Sequence, residues 1–125
     1  MSDKKALVLL VHGSRDPDWM RPFEDLRGDV ESASGVPVRL ACLQFCSPSL
    51  SESVCGLAED GIGNVLVVPV FISALGHVLK DVPKEVDDAR SKYPDINIDI
   101  LPALGEMPDV QNAFRDSLMR VAEEM

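Results

Sequence analysis

Histidine is scarce in this chain of 125 residues and occurs only at His12 and His77. Cysteine is sparse too, and the odd set of Cys42, Cys46 and Cys55 is unlike the disulfide framework of a secreted domain. Cys42 and Cys46 could supply two of the ligands of a metal site, but this is disfavoured because no second Cys or His pair follows at ligand spacing. We therefore expect the cysteines to serve as small apolar filler.

Long apolar runs and an excess of basic charge are missing as well. No stretch reaches the about 20 apolar residues that a membrane-spanning helix needs, and MSDKK precedes too short an apolar run for a signal peptide. The formal net charge is −9, with 21 acidic against 12 basic residues. Nucleic acid requires a basic surface, which this composition does not favour. We expect a cytoplasmic protein with neither nucleic-acid nor membrane partners.

Four apolar runs alternate with four amphipathic stretches, and the length suits one domain over residues 1–125. Strands are predicted at Ala6–Val11, Val36–Leu43, Asn64–Ile72 and Ile96–Leu104. Apolar stripes at helical spacing begin at Trp19, Leu50, Val82 and Val110. Helix starts are predicted at Asp16-Pro17, Ser47-Pro48, Asp81 and Pro108. The alternation predicts an α/β fold, a parallel sheet with helices on both faces.

The strand candidates differ in how continuously apolar they are. The first and third are almost uninterrupted, as expected for strands covered on both faces. The second and fourth contain Arg39, Asn97 and Asp99, which suits the edges of a sheet. Right-handed crossovers then predict a doubly wound four-stranded sheet of order 2-1-3-4. The chain reverses direction between strands 1 and 3, and ligands bind beyond the carboxyl ends of strands at such a switch point.

The two histidines stand in the same relation to the two central strands. His12 follows strand 1 directly, and His77 comes shortly after strand 3. Because neighbouring strands lie about 4.8 Å apart, both imidazoles are predicted to converge on one crevice. Neutral imidazoles bind divalent Co, Ni, Fe or Zn and accept protons near neutral pH. Two histidines do not complete a structural metal site, so we expect an open, transient site and no tightly bound cofactor.

Other residues near these histidines suit an anionic, partly apolar ligand. Gly13 and Ser14, at the entrance to a helix, are predicted to present backbone N–H groups, and Arg15 adds a bidentate donor. Lys80 places a second cation close to His77 in the sequence. The apolar floor of the crevice is predicted to include Phe71, Leu75 and Leu79.

At these residues the chain resembles a known family. The segments LLVHGSRD and VPVFISALGHVLKDVP resemble the small sirohydrochlorin chelatases, which insert cobalt, iron or nickel into a tetrapyrrole. The shared pattern consists of His12-Gly13-Ser14, Pro69-Val70-Phe71-Ile72, His77 and Asp81-Val82-Pro83. The phrases LQFCSPSL and LPALGEMPDV resemble the family's exits from strands 2 and 4. The resemblance covers essentially the whole chain in order.

The resemblance implies a flavodoxin-like domain that acts as a homodimeric lyase of cobalamin or sirohaem biosynthesis. Its substrates would be a divalent metal, Co²⁺ first and Fe²⁺ or Ni²⁺ as alternatives, and sirohydrochlorin or a related tetrapyrrole. His12 and His77 match the family's active-site histidines and are expected to act as transient metal ligands and proton acceptors. Substrate contacts are expected from Gly13, Ser14, Arg15, Gln44, Phe71, Leu75, Gly76 and Lys80.

Gln44 is the one departure from the family pattern that matters chemically. Many relatives carry a glutamate in this phrase, and a glutamine offers a carbonyl oxygen but no carboxylate. Asp81 is a substitute acid, although its position predicts a helix N-cap. The alternative function is therefore a non-catalytic carrier of tetrapyrrole or metal, or a partner subunit. A phosphoryl-transfer loop with His12 as nucleophile is disfavoured, because the chain has no third histidine.

Overall fold

The computed structural model describes residues 3–73 and 78–125, without the side chains of residues 78 and 79. The strands are β1 (Lys5–Val11), β2 (Val38–Cys42), β3 (Asn64–Pro69) and β4 (Asn97–Ile100). The helices are α1 (Pro17–Ser34), α2 (Leu50–Glu59), α3 (Val78–Lys92) and α4 (Pro108–Glu123). A 3₁₀ turn at Leu104–Glu106 precedes α4. Within the described ranges, no helix combines the length and apolar character needed to cross a membrane.

All strands pair in parallel, in the order β2-β1-β3-β4. Leu9 of β1 lies opposite Leu40 of β2 on one side and Val68 of β3 on the other. The two strands predicted to be central are central, and the two interrupted by polar residues form the edges. The predicted doubly wound sheet of order 2-1-3-4 is confirmed.

The sheet separates two apolar clusters, as helices on both faces require. On one face, Val8 and Leu10 of β1 pack with buried residues of α2 and α3, including Val54 and Val86. On the other face, Leu9 and Val11 of β1 pack with the partly buried residues of α1. Successive β1 residues alternate between the two clusters because side chains of a strand point to opposite faces. This alternation holds the carboxyl end of β1 between two packed layers.

Helix α1 begins where the sequence predicts. The side chain of Asp16 accepts a hydrogen bond from the backbone N–H of Asp18 at 2.9 Å, and Pro17 is the first helical residue. A proline is favoured at this position because the first helical N–H groups have no partner within the helix. Pro108 is likewise the first residue of α4, but the N-cap there, Met107, makes no side-chain hydrogen bond.

The predicted start of α2 at Ser47-Pro48 is wrong by two residues. Ser49 is the N-cap, and it exchanges hydrogen bonds with Glu52 in a capping box. These hydrogen bonds hold the pKa of Glu52 below its usual value. The carbonyl of Pro48 instead accepts the backbone N–H of Cys42 at 2.8 Å, which keeps Pro48 in the turn after β2. The capping box satisfies two otherwise unpaired helix donors and so sets the boundary.

The predicted N-cap role of Asp81 is also wrong, because α3 begins at Val78 and places Asp81 inside the first helical turn. An acidic residue there still interacts favourably with the positive end of the helix dipole. The stripe that starts at Val82 is confirmed as core, with Val86 and Ala89 buried.

Two predicted strands are too long at their carboxyl ends. β3 stops at Pro69 and β4 at Ile100, and the apolar residues that follow form loops. These loops hydrogen-bond to each other, since the backbone N–H of Gly105 donates to the carbonyl of Phe71 at 2.8 Å. An apolar loop and a strand can have the same apolar composition, so composition alone does not separate them.

The apolar stripe on α4 forms at helical spacing but is not core. Leu118 is 68% exposed, Val121 is 58% exposed, and no residue of the helix is buried. Within residues 3–73 and 78–125, nothing covers this face.

Glu31 joins the end of α1 to the edge strand β2. One carboxylate oxygen accepts the backbone N–H of Val38 and the guanidinium of Arg39, both at 3.1 Å, and the other accepts Arg27 at 3.0 Å. The hydrogen bond from Val38, followed by the one from Arg27, holds the pKa of Glu31 below its usual value of 4.5. Its stabilising contribution is therefore present above that pH and lost as the pH falls through the lowered pKa.

We predict that Glu31→Gln lowers the urea midpoint of unfolding at pH 7. Glutamine is isosteric with the protonated acid, so the difference from wild type should shrink as the pH falls towards about 3. Urea titrations across this pH range check the prediction. Glu24→Gln is the matched control, since Glu24 makes one exposed 3.4 Å contact with Arg27. A midpoint difference that is constant with pH would contradict the assigned role of the carboxylate.

Candidate active site

His12 lies at the carboxyl end of a central strand, one residue beyond β1. Its ring centroid is 5.5 Å from that of Phe71, which follows β3, with 59° between the ring planes. This tilted contact lies within the range favoured by aromatic pairs. His12 is partly exposed, so an imidazole with a defined orientation faces the crevice between the ends of β1 and β3. His12 and Phe71 thus lie side by side just beyond the ends of β1 and β3, while their role in the site stays a prediction.

Gly13 brings the loop after β2 into contact with the loop after β1. Its backbone φ is +101°, a region that side-chain-bearing residues rarely adopt. A Cβ atom at this position would overlap the carbonyl oxygen of Gln44. The backbone N–H of Gln44 in turn donates to the carbonyl of His12 at 3.1 Å. Glycine is therefore required here for the two loops to meet.

Other residues predicted for the site have more local contacts. The hydroxyl of Ser14 accepts the backbone N–H of Asp16 at 3.1 Å and so helps to open α1. The guanidinium carbon of Arg15 lies 5.3 Å from the ring centroid of Phe45, within cation–π range. Gln44 and Phe45 are both exposed. Arg15, Gln44 and Phe45 therefore form one side of the crevice near His12.

Cys42 and Cys46 form a disulfide that closes this loop. The expectation that they are simple apolar filler is wrong, and only Cys55 remains a free thiol. A spacing of four residues allows both a turn with linked sulfurs and two unlinked side chains, so the sequence did not distinguish them. The loop geometry brings their Cα atoms within 5.6 Å, inside the range for disulfides.

An apolar groove of about 250 Å³ opens beside the ring of Phe71. Its lining comes from α1, the loops after β3 and β4, and the start of α4, and includes Phe23, Val70, Phe71, Ile72, Leu104 and Phe114. Sequence reasoning identified Phe71 but missed the rest of this set. The signal was present in the phrase LPALGEMPDV, where Gly105 allows close approach: a Cβ atom there would overlap the backbone of Ile72.

Three predicted site residues, Leu75, Gly76 and His77, lie outside the described residues. The side chain of Leu79 lies outside them as well. Lys80 is exposed in the first turn of α3. In the described part of the chain, no group of three or more His, Cys, Asp or Glu residues could hold a metal ion.

A larger hollow of about 630 Å³ lies at the opposite edge of the sheet. It is bounded by Gly61 and Gly63 before β3 and by residues 92–96 before β4. Its tyrosine, Tyr93, has a pKa raised by a hydrogen bond with Cys55 and by burial. Ligands of doubly wound sheets bind at the carboxyl ends of the strands, which favours the smaller groove and crevice beside His12 as the candidate site.

The fold and the site define a doubly wound α/β domain with a histidine at the topological switch point. The CbiX family matches residues 6–121, and the chain belongs to this family.

Relatives in this family carry chelatase names. A sirohydrochlorin cobaltochelatase from Priestia megaterium is 30% identical over 95 residues, covering 74% of this chain and 30% of that protein. A sirohydrochlorin cobaltochelatase from Methanopyrus kandleri is 35% identical, covering 63% of this chain and 56% of that protein. A sirohydrochlorin ferrochelatase from Priestia megaterium is 22% identical, covering 74% of this chain and 35% of that protein. The chain thus spans about a third to just over half of the length of these relatives.

Solved structures share the fold. A putative cobalamin biosynthesis CbiX protein from Marinobacter aquaeolei is 27% identical with a TM-score of 0.81, and each chain covers 98% of the other. The sirohydrochlorin chelatase SirB from Bacillus subtilis subspecies spizizenii, in complex with cobalt, has a TM-score of 0.79 at 23% identity. That match covers 95% of this chain and 51% of SirB.

We predict that Gly13→Ala destabilises the protein by about 2 to 3 kcal/mol, because the new methyl group combines a strained φ with overlap of backbone atoms. Urea unfolding measures the change. Gly28→Ala, in the interior of α1 with no neighbour near its Cβ position, should instead stabilise by about 0.5 to 1 kcal/mol. Equal effects of the two substitutions would show that the contact between the loops is unimportant.

Proposed function

We propose that this protein inserts a divalent metal ion, preferentially Co²⁺, into sirohydrochlorin or a closely related tetrapyrrole. The observation that carries the proposal is the placement of His12, partly exposed and oriented by Phe71, at the switch point of a CbiX-family domain. The names of the relatives support the same activity.

Insertion requires both a metal ligand and a proton acceptor. A free tetrapyrrole carries two N–H protons that must leave as M²⁺ enters the ring. A neutral imidazole performs either task near neutral pH. His12 holds the ion on one face of the macrocycle or accepts a released proton, and His77, which follows β3 in the sequence, is proposed to perform the complementary task.

The surroundings of His12 suit the two chemical faces of a tetrapyrrole. The groove beside Phe71 supplies apolar contact for the macrocycle. The peripheral carboxylates need cations, and the proposed donors are Arg15, which contacts Phe45, and Lys80, which is exposed in the first turn of α3. The net charge of −9 opposes approach of an anion at long range, but salt screens such forces beyond about 8 Å at physiological ionic strength. Short-range contacts with Arg15 and Lys80 therefore decide binding.

Which metal ion the protein inserts can be tested by comparing the candidate ions directly. The relatives named above include both cobalt and iron chelatases, two of them from one organism. Gln44 offers a neutral carbonyl oxygen rather than a carboxylate, so it adds no negative charge that would attract a divalent ion. A competition assay with Co²⁺, Fe²⁺ and Ni²⁺ tests the proposed preference for Co²⁺.

We predict that His12→Ala and His77→Ala each slow metal insertion about 10²-fold or more, since each removes a ligand and a proton acceptor. The measurement is the change in absorption of sirohydrochlorin as Co²⁺ enters the ring.

Tyr93→Phe is the control for these two variants, because it alters the opposite hollow and should insert metal at the wild-type rate. Wild-type rates in both histidine variants would refute the proposed mechanism. Tight binding of the tetrapyrrole or metal with no insertion above the spontaneous rate would establish the carrier function instead.

We further propose that two copies of the chain pair through α4. The helix is about 24 Å long, and its exposed residues Phe114, Leu118 and Val121 lie on one continuous face. Phe114 belongs both to this face and to the wall of the apolar groove, so a second copy docked there would extend the site. SirB supports a second copy as the partner, because almost the whole of this chain matches about half of SirB. The other half of SirB is long enough for a second unit of equal size.

We predict that Leu118→Gln converts a dimer to a monomer, which light scattering after size exclusion detects as a halved mass. The substitution removes apolar area from the centre of the proposed interface. Met119→Gln is the matched control, because Met119 is also exposed but lies about 100° around the helix from Leu118, outside the proposed face. A wild-type protein that is monomeric at every concentration would rule out the pairing.

A further inference from the structure

The disulfide between Cys42 and Cys46 encloses the loop that contacts His12. Cys42 ends β2 and is 3% exposed, whereas Cys46 is partly exposed in the loop. Only three residues, 43–45, lie between the two cysteines. The bond therefore restricts the conformation of the short segment that carries Gln44.

This closed loop contacts the site through two neighbouring groups. The backbone N–H of Gln44 donates to the carbonyl of His12 at 3.1 Å. The sulfur of Cys46 lies 3.1 Å from the position that a Cβ atom would take on Gly13. On its other side, the same sulfur lies 3.9 Å from the sulfur of Met20 in α1. The disulfide thus fills the space between α1 and the backbone that carries His12.

The backbone of the loop is also constrained. Phe45 adopts a φ of +70°, in the left-handed region that residues other than glycine rarely occupy. A conformation of this kind persists when the surrounding structure imposes it. The disulfide and the hydrogen bond to His12 are the constraints on either side of Phe45.

We propose that Cys42 and Cys46 form a reversible thiol–disulfide site, whose oxidation state sets how firmly the loop holds the backbone of His12. The reactant is a dithiol in one direction and a disulfide oxidant in the other. The effect on rate rests on the proposed metal insertion, whereas the thiol chemistry and the loop motion do not.

Exposure determines the course of the exchange, because an attacking thiolate needs access to sulfur. The thiolate of the dithiol attacks the sulfur of Cys46 and forms a mixed disulfide, and the bond to Cys42 breaks. The electron pair leaves on the sulfur of Cys42, which then takes a proton from solvent. The second thiol of the reductant then attacks the reductant sulfur that is bonded to Cys46. The sulfur of Cys46 leaves with the electron pair and takes a proton from solvent. Overall the protein gains two electrons and two protons, and the dithiol becomes a disulfide.

Reduction lengthens the contact between the two sulfurs from a covalent bond to a van der Waals distance. Cys42 is held by the core of the sheet, so Cys46 and the loop must move. That movement weakens the hydrogen bond from Gln44 to His12, and a less firmly positioned imidazole catalyses more slowly. We therefore expect the oxidised form to be the faster enzyme.

The first experiment counts thiols in the full chain after unfolding in urea. Protein equilibrated with oxidised dithiothreitol should show one reactive thiol, from Cys55, and a linked peptide that contains residues 42 and 46. Protein equilibrated with reduced dithiothreitol should show three thiols. Three thiols under both conditions, or a link that involves Cys55, would overturn the proposal.

The second experiment follows the loop without reference to activity. Hydrogen exchange of the Gln44 amide should quicken about 10-fold on reduction, as the hydrogen bond to His12 opens more often. Cys46→Ser should exchange quickly under both conditions, and Cys55→Ser should behave as wild type. An exchange rate that is unaffected by reduction would overturn the proposed coupling.

The third experiment measures the rate of Co²⁺ insertion in the two redox states. Reduction should slow wild type and Cys55→Ser roughly 3- to 10-fold, while Cys46→Ser should be slow and insensitive to redox state. A wild-type rate that does not change as the thiol count rises from one to three would refute control of the reaction. If neither the oxidised nor the reduced protein inserts metal, the proposed function is wrong. Hydrogen exchange of the Gln44 amide then decides by itself whether the redox site controls the loop.

Discussion

Strand β1 pairs in parallel with β2 on one side and with β3 on the other, so that the ends of three strands meet at one edge. The helices that follow β1 and β3 pack on opposite faces of the sheet, which opens a crevice between the ends of these two strands. His12, Phe71 and Gln44 are far apart in sequence, yet each lies within three residues of a strand end. Their contacts follow from the pairing of the strands rather than from any local motif.

The loops at this edge fit closely because two positions lack a side chain. Gly13 admits the carbonyl of Gln44, and Gly105 admits the backbone of Ile72. The first contact fixes the loop after β2 against His12, and the second fixes the loop after β4 against the residues after β3. The site is thus held mainly by backbone contacts between loops, while the exposed side chains remain available to a ligand. The disulfide adds a covalent restraint to the first of these contacts.

Much of the fold could be predicted from the sequence because it depends on local patterns. Continuous apolar runs identified β1 and β3 as central strands, and Asp16-Pro17 marked the start of α1. Boundaries were less predictable, since the apolar residues after Pro69 suit a strand as well as a loop. The start of α2 was set by the reciprocal capping of Ser49 and Glu52, which outweighed the Ser-Pro pair two residues earlier.

The sequence by itself determined the order of elements, the central position of β1 and β3, and the place of His12 at a strand end, because periodicity and strand composition encode burial. Only the tertiary structure decided which residues surround that histidine. The ring of Phe71, the amide of Gln44 and the link between Cys42 and Cys46 depend on loop paths that no local pattern specifies. The same holds for α4, whose sequence predicts an apolar face but not whether that face is covered. Periodicity reports what a side chain prefers to contact, and packing decides what it contacts.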